Sequence, residues 1–443
     1  MKKTILSLMA FATVSSAFAG GLLTNTNQNA VFLRNPARDA VIAIDGVYSN
    51  PAGIAFLPKG FHLSLSWQSA IQKRQITSNA PFYPLNTGNN NSEHFFEGKA
   101  IAPVIPSFQA AYVFNDKWSV SAQFAVGGGG GKCEFENGLP IFEKLVYSNI
   151  AAGVANHPLL PQGSSLASYT LNQNLTGKQY FYGLQVGATY KVTDKVSVFG
   201  GVRGVLAKCG YEGSIKGISA DIKLPVVGTV LPQAVNSPDF ELNCNQKGFG
   251  ITPILGVDVN LGKLNLAAKY EFRTKINLKN DSKNSSNVDA AFDAYKDGNK
   301  VRSDIPALLT LGAQYSILDN VRVMGGFHYF FDKDAKGSAT DVEKNTWEVT
   351  LGAEWDVNNW LTVSAGTQRT KYGFGQNMQD TNFNVSSTAL CLGATFHVSK
   401  MVNINAGYMH SFYNDHTIKD NNGITNTYTR KNDAVGVSVD LKF

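Results

Sequence analysis

The stretch Trp347-Glu348-Val349-Thr350-Leu351-Gly352-Ala353-Glu354-Trp355-Asp356-Val357 decides the fold. One parity carries Trp, Val, Leu, Ala, Trp and Val; the other carries Glu, Thr, Gly, Glu and Asp. A period of two is that of a β-strand with one apolar and one polar face. A strand greasy on one side and wet on the other suits a wall between lipid and water. The split recurs at Tyr180, Tyr182, Leu184, Val186, Ala188 and Tyr190, set against Gly183, Gln185, Gly187 and Thr189. It recurs at Val435, Val437, Val439, Leu441 and Phe443, set against Gly436, Ser438, Asp440 and Lys442. Trp67, Trp118, Trp347, Trp355 and Trp360 sit near the ends of such runs, where an interfacial girdle needs amphipathic rings.

Tight connections alternate with long polar ones. The tight ones are at Asn115-Asp116-Lys117, Thr193-Asp194-Lys195, Leu261-Gly262-Lys263, Leu318-Asp319-Asn320, Asn358-Asn359 and Ser399-Lys400. Runs beginning near Phe61, Ala102, Trp118, Gln179, Lys195, Glu241, Leu264, Val301, Val321, Thr346, Trp360, Ser387, Val402 and Asn432 give fourteen strands. The expected fold is all-β: a 14-stranded antiparallel transmembrane β-barrel over residues 60–443, with short turns on the periplasmic side. A large soluble β-protein would have no reason to place Trp and Tyr on the outward parity of nearly every strand.

Composition agrees. Of 443 residues, 16% are charged and 42 are Gly, which disfavours an ordinary cytosolic enzyme. Net charge is +6, and no basic block exceeds the doublets Lys73-Arg74 and Arg430-Lys431, so no nucleic-acid partner is expected. Residues 1–19 read as a signal peptide: Lys2 and Lys3, an apolar stretch from Ile5 to Val14, and Ala17-Phe18-Ala19 as the cleavage site. Beyond it no run of eighteen apolar residues exists, which leaves an exported soluble protein or a barrel. The cysteines Cys133, Cys209, Cys244 and Cys391 form no C-x-x-C; Cys209 and Cys244 could be bridged if they faced each other across a hairpin. Seven histidines show no compact zinc spacing, and no G-x-S-x-G or phosphate-loop motif occurs, so neither metal, cofactor nor catalysis is expected.

Residues 20–59 lack the alternation and contain Asn50-Pro51-Ala52-Gly53, a turn and helix-start signal. About fourteen strands enclose a hole too wide for wall side chains to fill, so this segment is expected to plug it. Gly127, Gly128, Gly129, Gly130 and Gly131 follow directly on the third strand, where glycine weakens pairing and permits bulges. Between Lys132 and Lys178, Leu139, Ile141, Phe142, Leu145, Val146, Ile150 and Val154 recur at helical spacing, implying self-packing or a ligand groove. In the second case Phe142, Leu145 and Leu159 would line a first binding site.

The stretch Val47-Tyr48-Ser49-Asn50-Pro51-Ala52-Gly53-Ile54-Ala55, behind a leader and ahead of fourteen strands, resembles the FadL-type outer-membrane transporters of long-chain fatty acids and aromatic hydrocarbons. Ile105-Pro106-Ser107-Phe108 and Asp304-Ile305-Pro306-Ala307 are similar to that family's strand openings. The resemblance implies a hatch at Asn50, Pro51, Ala52 and Gly53 and a location in the bacterial outer membrane. It implies uptake of a hydrophobic small molecule by capture outside, plug rearrangement and sideways exit; the glycine run either helps form that lateral opening or is a plain flexible start to the loop. It also implies a monomer, in contact with outer-membrane lipid and lipopolysaccharide. A fatty acid would need its carboxylate neutralised; Arg203, Arg322 and His328, at inward parity, are candidates, against the simpler reading that they pair with lumenal acids or with plug residues. A water-filled general porin and a structural or adhesive barrel are the alternatives.

Overall fold

The computed structural model describes residues 29–443 except 227, 292, 338–341, 378–379 and 382. The signal-peptide segment and residues 20–28 lie outside the described residues. Eighteen ladder segments form one sheet, and because four strands are interrupted they make fourteen. These are β1 Gly60–Asn79, β2 Glu93–Val113, β3 Trp118–Phe135, β4 Ser165–Lys191, β5 Val196–Lys223 and β6 Val230–Asn236 with Phe240–Asn260. They continue as β7 Leu264–Glu271 with Asn277–Ser282, β8 Lys300–Arg302 with Leu308–Leu318, β9 Val321–Phe330 and β10 Thr346–Asn358. The last are β11 Leu361–Lys371, β12 Ser387–His397, β13 Val402–Tyr413 with His416–Lys419, and β14 Thr425–Lys442. Every neighbour pairs antiparallel, and β1 pairs with β14 from His62↔Lys442 to Asn79↔Thr425, which closes the sheet. Closure removes both edges, the condition for a sheet in lipid. No described helix is long and apolar enough to cross a membrane.

The two parities separate as a membrane wall requires. Leu65, Trp67, Ile71, Leu184, Val186, Leu351, Trp355, Leu390, Leu392, Val435 and Val437 are exposed on the outside. Ser64, Ser66, Gln68, Gln185, Thr189, Glu348, Thr350, Glu354 and Ser438 are buried within. Nine to eleven residues per strand cross a bilayer, so β4 and β5, at 27 and 28 residues, project well beyond it on the long-loop side. Four strands start earlier than the pattern predicts, on the projecting side: β2, β4, β6 and β14 begin at Glu93, Ser165, Val230 and Thr425 rather than near Ala102, Gln179, Glu241 and Asn432. Outside the membrane both faces meet water or loops, and the alternation that marks a strand fades.

Residues 29–57 fold inside this wall as two short helices, α1 Ala30–Arg34 and α2 Gly46–Ser49, and a 3-10 turn, Pro51–Phe56. Their seat is a belt of glycines in the middles of the strands: Gly312 pairs with Gly326, Gly352 with Gly366, and Gly407 with both Gly393 and Gly436. A side chain at these positions would strike the segment. A Cβ at Gly407 would lie 2.7 Å from Ala30 O and 2.9 Å from Arg34 N, and one at Gly352 would meet the Asn35 side chain. The glycines of this belt therefore mark where the inner segment approaches the wall.

All four cysteines are free thiols and buried. Cys209 stands opposite Gln246, and Cys244 opposite Tyr211, so the two thiols are diagonal neighbours. Diagonal residues lie roughly 7–8 Å apart, beyond the reach of a disulfide without backbone movement.

The belt makes a prediction. Gly407→Val should leave barrel formation intact, read as heat-modifiable migration in SDS gels, but expel the segment at α1. Trypsin should then cut after Arg34 or Arg38, which are 5% and 4% exposed in the closed wall. Unchanged resistance would refute the seat.

Candidate functional site

The Asn50-Pro51-Ala52-Gly53 turn is built from local chemistry. Pro51 takes the first position of the turn, where its missing N–H costs nothing. Asn50 caps it, accepting from Gly53 N at 3.2 Å, and donates Nδ2 to Asp258 on β6 at 2.5 Å. Ala52 packs against Phe199 and Ile254, and a Cβ at Gly53 would collide with the Asn50 amide. Each residue of the motif thus has a separate reason. Strand hydroxyls and amides reach in to the carbonyls of this segment: Gln185 to Val47, Thr189 to Pro51, Ser197 to Ala52 and Asn265 to Ala40, all within 2.7–2.9 Å.

Two charged clusters hold the rest. On one side Glu354 accepts from Arg34 and Arg38 at 2.9 Å and from Arg322 at 3.3 Å. Arg38 also grips Asp45 through two bonds of 2.8 and 2.9 Å, and Arg322 grips Asp356 at 2.6 and 2.9 Å. Three guanidinium groups meet three carboxylates, so the cluster is neutral. Next to it His328 stands between Glu348 at 2.9 Å and Asp39 at 3.0 Å. Both ring nitrogens face carboxylates, and only the doubly protonated ring can donate to both. On the other side Tyr48 lies under the charges of Arg203 and Lys269, 5.1 and 4.2 Å from its ring centre. Glu271 accepts from both at 2.5 and 2.8 Å, and Lys269 also donates to Tyr48 O at 2.7 Å. Arg203, Arg322 and His328 are therefore each tied to lumenal acids, His328 to the inner segment as well.

The wall is not uniformly sealed. The β2–β3 ladder runs from Val113↔Ser119 to Ser107↔Ala125 and resumes only at Ile101↔Lys132. Residues 102–106 and 126–131 between these points do not pair with each other. Pro103 and Pro106 carry no N–H to offer. On the other side β3 is bulged against β4 at Val126/Gly128 and Gly129/Gly131, with Gly129 at a φ of 74° that only glycine adopts freely. Gly127, Gly128, Gly129, Gly130 and Gly131 thus occupy the one strand segment facing this interruption.

Above the inner segment lies an apolar cluster. A helix, α3 Pro140–Ala155, turns Phe142, Val146, Ile150 and Val154 into a cluster with Phe82, Tyr83, Phe135, Tyr211 and Phe383. Phe142 borders a cavity of about 40 Å³ with Leu175, Tyr211, Ile215, Phe240, Val288 and Tyr295, a lining without a charged group. Leu145 is half-buried and lines no part of it, and Leu159 is 82% exposed, so the three residues do not form one site. At the border of the apolar cluster lies a pair the parity reading missed. Arg74 and Arg430 stand opposite each other across β1 and β14, both buried. Arg74 lies 5.4 Å from the Phe383 ring centre; Arg430 lies 4.7 Å from that of Tyr413 and donates to Phe383 O at 3.1 Å. Among the described residues Arg430 has no carboxylate partner. Among the same residues no group of three His, Cys, Asp or Glu side chains could hold a metal ion.

Glu354→Gln should leave three guanidinium groups around a neutral amide, and breaking such a buried pair costs about 3–5 kcal/mol. The expected result is a severalfold rise in planar-bilayer conductance with heat-modifiability retained. Currents like those of the parent protein would show that this cluster does not hold the segment in the bore.

No curated protein sequence matches the chain. A family model described as Gram-negative porin matches residues 252–416. Among solved structures, a Pseudomonas aeruginosa FadL homologue is 14% identical, with a TM-score of 0.67 over 96% of this chain and 100% of that one. The Pseudomonas putida toluene transporter TodX is 15% identical, TM-score 0.58, over 96% and 99%. The Ralstonia pickettii toluene transporter TbuX is 15% identical, TM-score 0.53, over 92% and 98%. Fourteen closed strands and likeness to these structures over nearly the whole chain give this protein the fold of the FadL-type outer-membrane transporters.

Proposed function

We propose that the chain is an outer-membrane uptake transporter for hydrophobic small molecules, long-chain fatty acids foremost, and that it performs no catalysis. Residues 29–57 act as a plug, the apolar cluster under α3 receives the cargo, and the interruption between β2 and β3 is the exit. The observation that carries this reading is the conjunction of an occupied bore with an unpaired stretch of wall. A general water-filled porin would need the bore open, and an adhesive barrel would need no interruption in the ladder. The energetics require a dry route. A tail of about fifteen methylenes loses roughly 0.8 kcal/mol per group on entering water, or about 12 kcal/mol in all.

Arg430, beside Arg74, supports an acid as cargo: two guanidinium groups opposite each other repel, and a carboxylate beside Arg430 would relieve that repulsion. The uncharged lining around Phe142 supports a second reading, a neutral hydrocarbon, which is what the names of TodX and TbuX record for those proteins.

Uptake of labelled oleate and of toluene, in cells lacking the gene and complemented with variants, tests both. A Cβ at Gly131 would stand 3.9 Å from that of Ala102, ordinary contact, so Gly131→Val fills the interruption without strain. It should cut uptake of either cargo at least fivefold. Arg430→Gln should cut oleate uptake alone. Normal uptake in Gly131→Val would discard the lateral exit, and equal loss of both cargoes in Arg430→Gln would discard the carboxylate anchor.

A further inference from the structure

On the outer face of the wall, at the long-loop edge of the apolar belt, four lysines stand abreast. Lys208 on β5 is paired in register with Lys247 on β6, Lys247 with Lys279 on β7, and Lys279 with Lys300 on β8. All four are exposed. Like charges directly opposite across a ladder destabilise it, and here three such contacts follow one another. Lys132, Lys178 and Lys216 on this face are matched to Glu134, Glu212 and Glu241, while Lys431, Lys73 and Lys99 form a shorter row of three across β14, β1 and β2. None of the four forms an ion pair among the described residues, Asp281 two positions beyond Lys279 included. The row thus carries four positive charges that no described acidic side chain pairs with.

What lies beside the row says which anion. Leu206 on β5 and Phe249 and Ile251 on β6 are exposed immediately below it, on the side of the membrane belt. Tyr182, an interfacial ring, lies 5.8 Å from the Lys208 ammonium. A bound partner thus presents acyl chains to the wall and negative charge at one fixed height above them. Four strands at about 4.8 Å spacing make the row roughly 14 Å wide. A headgroup with one phosphate reaches two neighbouring lysines; a sugar headgroup bearing phosphates at both ends spans the whole row.

We propose that Lys208, Lys247, Lys279 and Lys300 form a binding site for a bisphosphorylated outer-leaflet glycolipid, the lipid A portion of lipopolysaccharide. Phosphates sit on the ammonium groups and acyl chains lie on the wall beneath. The site is independent of cargo transport, because the lysines face away from the bore.

Native mass spectrometry of the full chain released from neutral detergent, titrated with bisphosphoryl lipid A, tests it. Changing all four lysines to Gln should weaken retention at least tenfold, and added salt should weaken it in the parent protein. Changing all four to Arg should preserve retention, which separates loss of charge from loss of fold. Lipid A stripped of its phosphates should bind like the Gln variant. Oleate uptake by the Gln variant should match the parent. Undiminished lipid A binding by the Gln variant would overturn the proposal. So would phosphate-free lipid A binding as well as the intact lipid, or phosphatidylglycerol binding as tightly as lipid A.

Discussion

Every backbone polar group at membrane depth has to find its partner inside the protein, and the rest of the architecture follows from that constraint. It forces the sheet to close and the strands to alternate. It also makes the interruption between β2 and β3 costly. The sequence there limits the cost: of the five β2 residues unpaired with β3 two are prolines with no donor, Ala102, Ile105 and Pro106 keep register with β1, and Pro103 O is taken by Trp67 Nε1 at 3.2 Å and Ser69 Oγ at 2.6 Å. On β3 the bulges against β4 keep part of the glycine run hydrogen-bonded from its other side. The interruption is thus an arrangement of residues that can do without a neighbour, which a random defect in a ladder would not be.

A closed wall of fourteen strands creates the second constraint, a bore too wide to fill from the wall alone. Backbone fills it here because the glycine belt lets the inner segment approach the strands at carbonyl distance. Close approach then brings buried charge, and charge has to be balanced locally. Arg34 and Arg38 enter from the segment and find Glu354, Asp45 and, through Arg322, Asp356. Such clusters are poor sources of net stability, but they are selective: a segment displaced by one residue would leave several charges unpartnered in a dry interior. Position, more than affinity, is what they specify.

Much of this was legible from alternation. Ten of the fourteen strands begin within two residues of where the pattern starts them, because an outward face in lipid tolerates only apolar residues. Legibility ends where that pressure ends, at the projecting parts of β2, β4 and β14 and at the segment of β6 from Val230 to Asn236. The doublets Lys73-Arg74 and Arg430-Lys431 show a subtler loss. Read along the chain each is a small basic block. Read at a period of two and in register, each splits into an outward lysine and an inward arginine, the arginines meeting inside and the lysines outside. Parity alone could have divided the doublets; the meeting of their halves needed the β1–β14 register, which links residues more than 350 positions apart. The glycine belt was visible as one small residue in the middle of each run, but its meaning depended on a segment far away in sequence.

If the chain carries an apolar cargo as proposed, the same balance of charge favours a sideways exit over an axial one. A route along the axis would take an alkyl chain through the Glu354 and Glu271 clusters, where separating paired charges in a water-poor space costs several kcal/mol for each ion. It would also require the segment to clear a seat in which its backbone lies against the wall at Gly312 and Gly407 and its side chains at Gly393 and Gly436. The wall beside β3 presents neither obstacle: residues 102–106 and 126–131 carry Ala102, Val104, Ile105, Val126 and glycine, no ionised group, and no ladder to break. The Glu354 cluster lies on β9 and β10, away from this side of the wall, so the path that crosses the fewest buried charges is the lateral one.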